Sequence, residues 1–322
     1  MNLTEVNKQF NTYRKCLDYM EKLRWGKVVT CTKCNSNNVV AIGMHTGRFH
    51  CNACKTTFSV LSDTIFEDSK LILPKWFMLI NLMLNAKMGI SSKELERNVG
   101  LTYKTAWFCS HRVRCAMIDH CKTELESIIE MDETYIGGKP RLKYTKDDSN
   151  PNMSQITNKR GRGTKKTPIV GIVERKGEIV LKVIEKLTSR NLLAMLKENV
   201  KLDESIVVTD EFKSYKSFDE VVQHYTIQHS KKEYVRGAMH LNTVEGFWAI
   251  VKNSIKGSYR AISKRYLPLY LVQSAYNFNF RNYKGNLFEE FMKQALTTDK
   301  PMENYTTIKT VKETVYKQSP KC

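Results

Sequence analysis

Four cysteines stand as two hooks, Cys31-x2-Cys34 and Cys51-x2-Cys54, with sixteen residues between them. Each hook presents two thiolates on a tight knuckle, and four thiolates complete a tetrahedral Zn²⁺ site. His45 and His50 could compete as ligands, but the sulfurs already close the set; four separate buried thiols is the competing reading. Three acids offer a different chemistry. Asp132 sits inside Met131-Asp132-Glu133-Thr134-Tyr135, where a charge is costly unless it is paired or bound to metal. Strand alternation groups Asp132 with Ile128, Glu130 and Thr134, and turns Glu133 to the opposite face, away from any ligand set. Asp210 ends the apolar run Ile206-Val207-Val208-Thr209, and open α/β sheets gather ligands at the carboxyl ends of parallel strands. For either aspartate a polar strand end is the plain alternative. Glu245 follows Asn242 by three positions, which is also the spacing of a capping box with Asn as the cap. Cap and metal ligand draw on the same carboxylate oxygens, so the two roles are not easily combined, and both readings stay open here. Lys252 lies seven residues beyond Glu245, nearly in line on a helix, which suits metal at one end and phosphate at the other.

The elements that must hold these residues follow from apolar periodicity. Residues 4–23 read as one helix, and strand-like stretches at 39–42, 48–50 and 56–60 bracket the cysteine hooks as a zinc ribbon. A helix at 75–86 follows Pro74. Two further helical patterns, 91–99 and 102–117, are separated by Gly100-Leu101 and describe a helix-turn-helix; a plain helical spacer is the alternative. On its second helix Tyr103, Lys104, Arg112 and Arg114 are placed to reach DNA, with Ala106, Trp107 and Val113 inward. Strands at 127–136, 167–174, 178–184, 205–209 and 223–228 alternate with helices at about 188–200, 243–256 and 263–281, the first of these three ending before the fourth strand. Val244, Phe247, Trp248, Val251 and Ile255 form a buried stripe on the 243–256 helix, with Gly257 as its stop. This order suggests an α/β domain with a mixed, ribonuclease-H-like sheet. The last forty residues carry no clear pattern.

Charge sharpens the choice of partner. The 322 residues have a formal net charge of +19. Residues 1–125 hold 18 Lys and Arg against 10 Asp and Glu, residues 139–166 hold 9 against 2, and residues 231–285 hold 10 against 2. Between them, residues 126–138 hold four acids and no base. An acidic pocket flanked by basic stretches fits a metal-dependent enzyme acting on a polyanion, and nucleic acid is the expected one. The 139–166 stretch, with Arg160, Arg162, Lys165 and Lys166, lacks apolar period and reads as a long basic loop. No apolar run is long enough to span a bilayer, and Glu5, Asn7, Lys8 and Gln9 stand where a secretory leader would be apolar. Nine cysteines in that context fit a reducing, cytoplasmic and nucleoid-associated setting.

Residues 16–118 and 127–281 resemble the zinc-ribbon-bearing DDE transposases of prokaryotic insertion sequences, the Merlin-related, ISXO-type group. The strings that carry the resemblance are Arg24-Trp25, Phe58-Ser59-Val60-Leu61, Thr64-Ile65-Phe66 and Thr105-Ala106-Trp107 in the first half. In the second they are Asp132-Glu133-Thr134-Tyr135-Ile136-Gly137-Gly138, Thr209-Asp210, Asn242-Thr243-Val244-Glu245-Gly246-Phe247-Trp248 and Lys252. The resemblance implies an integrase-type (DDE) catalytic domain in which Asp132, Asp210 and Glu245 ligate two Mg²⁺ (or Mn²⁺) ions. It also implies hydrolysis at transposon ends followed by joining of the 3′ ends to target DNA. Lys252 would contact terminal nucleotides, and the ribbon and helix-turn-helix would read the terminal inverted repeats. Paired-end chemistry implies a homodimer or higher assembly on double-stranded DNA. The expected organisation is a helix and zinc ribbon over 1–70, a helix-turn-helix region over 71–125, a catalytic domain over 126–285 and a tail over 286–322. Two other classes compete: a DNA-binding regulator with an inactive catalytic domain, and a stand-alone nuclease of the same fold.

Overall fold

The computed structural model describes residues 1–43, 47–118, 124–138, 166–231, 235–236 and 239–297. It divides into one unit of Met1–His120 with Val272–Cys322, and a second of Cys121–Leu271.

In the first unit the single N-terminal helix expected from periodicity is two, α1 (Leu3–Gln9) and α2 (Tyr13–Trp25). The break has a local cause. Asn2 and Glu5 form a capping box at the start of α1, and the Thr12 hydroxyl caps α2 by accepting from the Lys15 amide at 3.3 Å. Three short antiparallel strands, β1 (Val39–Ala41), β2 (Arg48–Cys51) and β3 (Thr57–Ser59), make the ribbon in that order. Helix α3 (Leu73–Asn85) carries Pro74 in its first turn. Helix α4 (Ser92–Val99) is capped by Ser91 and stops at Gly100, whose φ of 65° is the left-handed conformation that glycine adopts without cost. Thr102 then caps α5 (Tyr103–Ala116). The core joins Val6, Phe10, Leu17, Trp76, Phe77 and Ile80 to Phe288 and Phe291. The last two belong to an amphipathic helix, Leu287–Thr297, inside the stretch expected to be a tail.

The second unit is a five-stranded sheet built from β4 (Leu125–Ile136), β5 (Thr167–Glu174), β6 (Ile179–Val183), β7 (Val200–Asp210) and β8 (Gln223–Ile227). Its spatial order is β6-β5-β4-β7-β8. The first three strands form an antiparallel meander, and β7 and β8 run parallel to β4. That is the ribonuclease-H-like arrangement, with the first strand central. One face packs Ile129, Met131, Ile172 and Val207 against Leu192, Met195 and Leu196 of α6 (Ser189–Asn199), and against Tyr215 and Phe218. The opposite face meets α7 (Asn242–Ser254), which buries Val244, Phe247, Trp248 and Val251. Gly171 of β5, paired with Asp132, makes room for that helix: a Cβ there would lie 2.8 Å from Trp248 Cζ2. Gly257 does not stop α7, which passes into a π-turn over Ile255–Tyr259. Helix α8 (Leu267–Asn279) follows, so that Leu287–Thr297 is α9. Among the described residues no helix is long and apolar enough to cross a membrane.

Candidate active site and zinc ribbon

The β4–β7 ladder ends with Glu130 opposite Val208. Two residues farther along each strand stand Asp132 and Asp210, side by side where the strands cease to pair. Ligand-capable oxygens of Asp132, Glu133 and Asp210 lie within 4.8 Å of one another. Asp210 is fixed by its own turn, since Oδ1 accepts from the Phe212 amide at 3.0 Å. Glu133 is fixed from the α6 face, where the buried Tyr215 hydroxyl donates to its Oε2 at 2.9 Å. Alternation does send Glu133 to that face, but at the strand end its carboxylate still reaches the cluster. The expectation that it stands apart is therefore corrected.

The cluster repels its own charge. Burial first, and then the carboxylate of Glu133, push the Asp132 carboxyl up to about 7. The Glu133 backbone amide opposes this by a hydrogen bond, and Asp210 and Glu245 add to the upward push. Glu245 thus lies close enough for its charge to be felt at Asp132, although it is outside the 4.8 Å set. It is exposed in the first turn of α7. All-carboxylate oxygen donors are the chemistry of a hard divalent cation such as Mg²⁺ or Mn²⁺, so the residues fit such an ion.

The capping-box reading of Glu245 does not hold. Helix α7 has Leu241 at the cap position, with no side-chain cap from its own sequence. The amides of Thr243 and Val244 instead donate to Oε2 of Glu130, at 2.8 and 3.1 Å, across from β4. Glu130 is 0 % exposed. Its Oε1 accepts from the Thr243 hydroxyl at 2.8 Å and from Arg175 Nε at 3.1 Å. The sequence signal for it was present, a second acid on the Asp132 face of an apolar strand, but its partner is 113 residues away.

The cysteine hooks meet as expected. Cys31 Sγ and Cys54 Sγ are 3.6 Å apart, as are Cys34 and Cys51, and all four sulfurs lie within 4.8 Å of one another. A zinc–sulfur bond of about 2.3 Å implies tetrahedron edges of about 3.8 Å, so the four fit one Zn²⁺. The Thr56 hydroxyl, 3.0 Å from Cys54 Sγ, helps lower that thiol to about 6. Trp25, Phe49 and Phe58 pack edge-on and stacked beside the buried Cys31 and Cys51.

The DNA-facing expectations divide. Lys104 and Lys252 are exposed, and so is Lys166. Arg112 and Arg114 are not: they are 2 % and 1 % exposed, and their assignment to DNA is corrected. Arg112 donates to the Glu67 carbonyl at 2.7 Å, and Arg114 to Gln273 Oε1 at 2.8 Å and Ser110 Oγ at 3.2 Å. The inner half of α5 is buried throughout, so charge there serves internal hydrogen bonding. Arg160, Arg162 and Lys165 fall outside the described residues.

Comparison with known proteins bears on both units. Residues 124–279 match the ISXO2-like transposase domain, and residues 12–57 match the transposase zinc-ribbon domain. An uncharacterized protein in transposable element ISH50 of Halobacterium salinarum is 28 % identical over 272 residues, 82 % of this chain and 90 % of that one. An uncharacterized transposase-like protein of Haemophilus influenzae is 31 % identical over 106 residues, 33 % of this chain and 84 % of its own. A pre-cleavage Mos1 transpososome is also similar, at 14 % identity over 70 % of this chain and 79 % of that chain, with a TM-score of 0.28, too low to add weight. On the two domain matches together, the chain belongs to the zinc-ribbon-bearing DDE transposases of insertion sequences.

Proposed function

We propose that this transposase binds transposon-end DNA, hydrolyses a phosphodiester bond there with a divalent metal, and joins the 3′ ends to target DNA. One observation carries the reading: three carboxylates crowd within 4.8 Å at the end of the central strands, and a fourth, Glu245, adds to the upward push on the Asp132 carboxyl. Such self-repulsion is costly in a fold with no further use for it, and a divalent cation relieves it. Asp132, Asp210 and Glu245 are the residues assigned to hold Mg²⁺ or Mn²⁺, with Glu133 beside them. A cation held there supplies an activated water or 3′-hydroxyl and a stabilised leaving oxygen.

The chain's own parts do the rest. Lys252, on the Glu245 side of α7, offers its ammonium to phosphate near the reacting bond. The exposed start of α5, with Tyr103 and Lys104, is the part of a second helix that reaches base edges in helix-turn-helix proteins. A Zn²⁺ on Cys31, Cys34, Cys51 and Cys54 would hold the ribbon folded, and the exposed Lys166 offers a further charge to the DNA backbone. Cutting and joining two ends calls for a homodimer or larger assembly on DNA.

The test uses the inverted repeats that flank the reading frame as a labelled duplex. Asp132→Asn, Asp210→Asn and Glu245→Gln should each retain a gel shift while cleavage with Mg²⁺ falls at least about a thousandfold, or about 4 kcal/mol. Normal cutting by Glu245→Gln removes it from the ligand set.

A further inference from the structure

Glu130 belongs to the acid-rich segment of β4 but has no capacity left for a metal. A carboxylate offers about four acceptor positions, and all four are taken: two by amides of α7, one by the Thr243 hydroxyl and one by Arg175. The arrangement ties three elements to one buried point. Arg175 lies at the β5–β6 turn, where its own amide donates to the Ile128 carbonyl at 2.9 Å. Its Nη2 reaches the His240 carbonyl at 3.2 Å, just before α7 begins. A carboxylate at a helix N-terminus also meets the positive end of the helix dipole.

The tether sits between two of the assigned ligands. Asp132 is two residues along from Glu130 on the same strand face, a step of about 6.6 Å. Glu245 is the residue after Val244, whose amide Glu130 holds. We infer that Glu130, braced by Arg175, is a positioning residue that sets the distance between Asp132 and Glu245 by clamping the first turn of α7 to β4. The inference rests on the metal-site reading given above. Glutamine at position 130 keeps the size but turns an amide nitrogen toward groups that are themselves donors. The clamp loosens at Arg175 and Thr243, and α7 gains freedom at the turn that bears Glu245.

The experiment is Mn²⁺ titration of the zinc-loaded full chain, followed by electron paramagnetic resonance, in two backgrounds. Glu130→Gln should weaken Mn²⁺ binding about 10- to 100-fold, the usual range for groups that orient ligands. In a Glu245→Gln background the same change should cost less than about twofold, because the tether acts through a ligand already lost. Equal weakening in both backgrounds marks general damage to the fold and overturns the inference. So does unchanged affinity in Glu130→Gln beside a weakened Glu245→Gln. If Glu245→Gln alone binds Mn²⁺ like the unaltered protein, the ligand assignment fails first and the tether fails with it. Should Glu130→Gln not fold, Thr243→Val removes one bond of the clamp and keeps the side chain's shape. It should cost about fivefold in the first background and nothing in the second, and any other pattern overturns the tether.

Discussion

Each unit buries charge, and the two do so to opposite ends. In α5, Arg112 and Arg114 are removed from water but given carbonyl, amide and hydroxyl oxygens, so their positive charge is met by acceptors. Burial and the Arg114 charge push His111 beside them down to about 3, which keeps the imidazole neutral and avoids a third cation there. In β4, Asp132 is half-buried and has other carboxylates as neighbours. The first arrangement surrounds its charge with acceptors, although Arg112 Nε itself lacks one among the described residues, and the second is satisfied by something that has yet to arrive. Burial alone therefore does not separate scaffold from site; the sign of the surrounding charge does. Glu130 and Asp132 make the same contrast within a single strand, two residues apart.

This contrast can be broken by experiment. Arg114→Ala removes the hydrogen bonds to Gln273 Oε1 and Ser110 Oγ and opens a void, so unfolding by denaturant should show a loss of about 3 kcal/mol. Well below the transition its affinity for end DNA should be unchanged; a DNA defect in fully folded protein would restore the arginine to the interface.

The acid cluster should answer to pH in the opposite sense to most carboxylates. The Asp132 carboxyl stands at about 7 in the fold against 3.8 for the free group, so the native state binds the extra proton. Its contribution is present at low pH and is lost as pH rises through about 7. Without divalent cation, the stability of the unaltered protein relative to Asp132→Asn should fall by on the order of 2 kcal/mol between pH 5 and pH 8. Added Mg²⁺ should restore much of it at the upper end. A flat difference would mean that the carboxylates are solvated apart.

The smallest effect tests the corrected residue. Glu133→Gln preserves the oxygen that the Tyr215 hydroxyl needs and removes one charge from the cluster. Cleavage should fall about tenfold, near 1.4 kcal/mol, well short of the loss in Asp132→Asn. Activity equal to the unaltered protein would return Glu133 to a structural role on the α6 face.

Much of this was legible from residue order because it depends on short-range rules. The cysteine spacing, the starts of the helical patterns at Ser91 and Thr102 and the apolar strand ending at Asp210 needed no knowledge of distant partners. What could not be read was who satisfies whom. Asn242-x-x-Glu245 has the letters of a capping box, but Glu130 supplies the cap from another strand. Arg112 and Arg114 have the type of DNA contacts, but α5 is packed around its inner half. Helix α9 was hidden because its apolar face is meaningful only against Phe10 and Phe77, far away in sequence.

Gly171 carries a consequence for how freely this domain can drift. It has no reactive atom, yet any side chain there must displace the Trp248 indole, and a Cβ would also lie 3.2 Å from Leu181. Every codon change that alters a glycine adds a Cβ, so neutral steps away from this position do not exist in the genetic code. In a saturation library selected for transposition, position 171 should be depleted nearly as strongly as position 132.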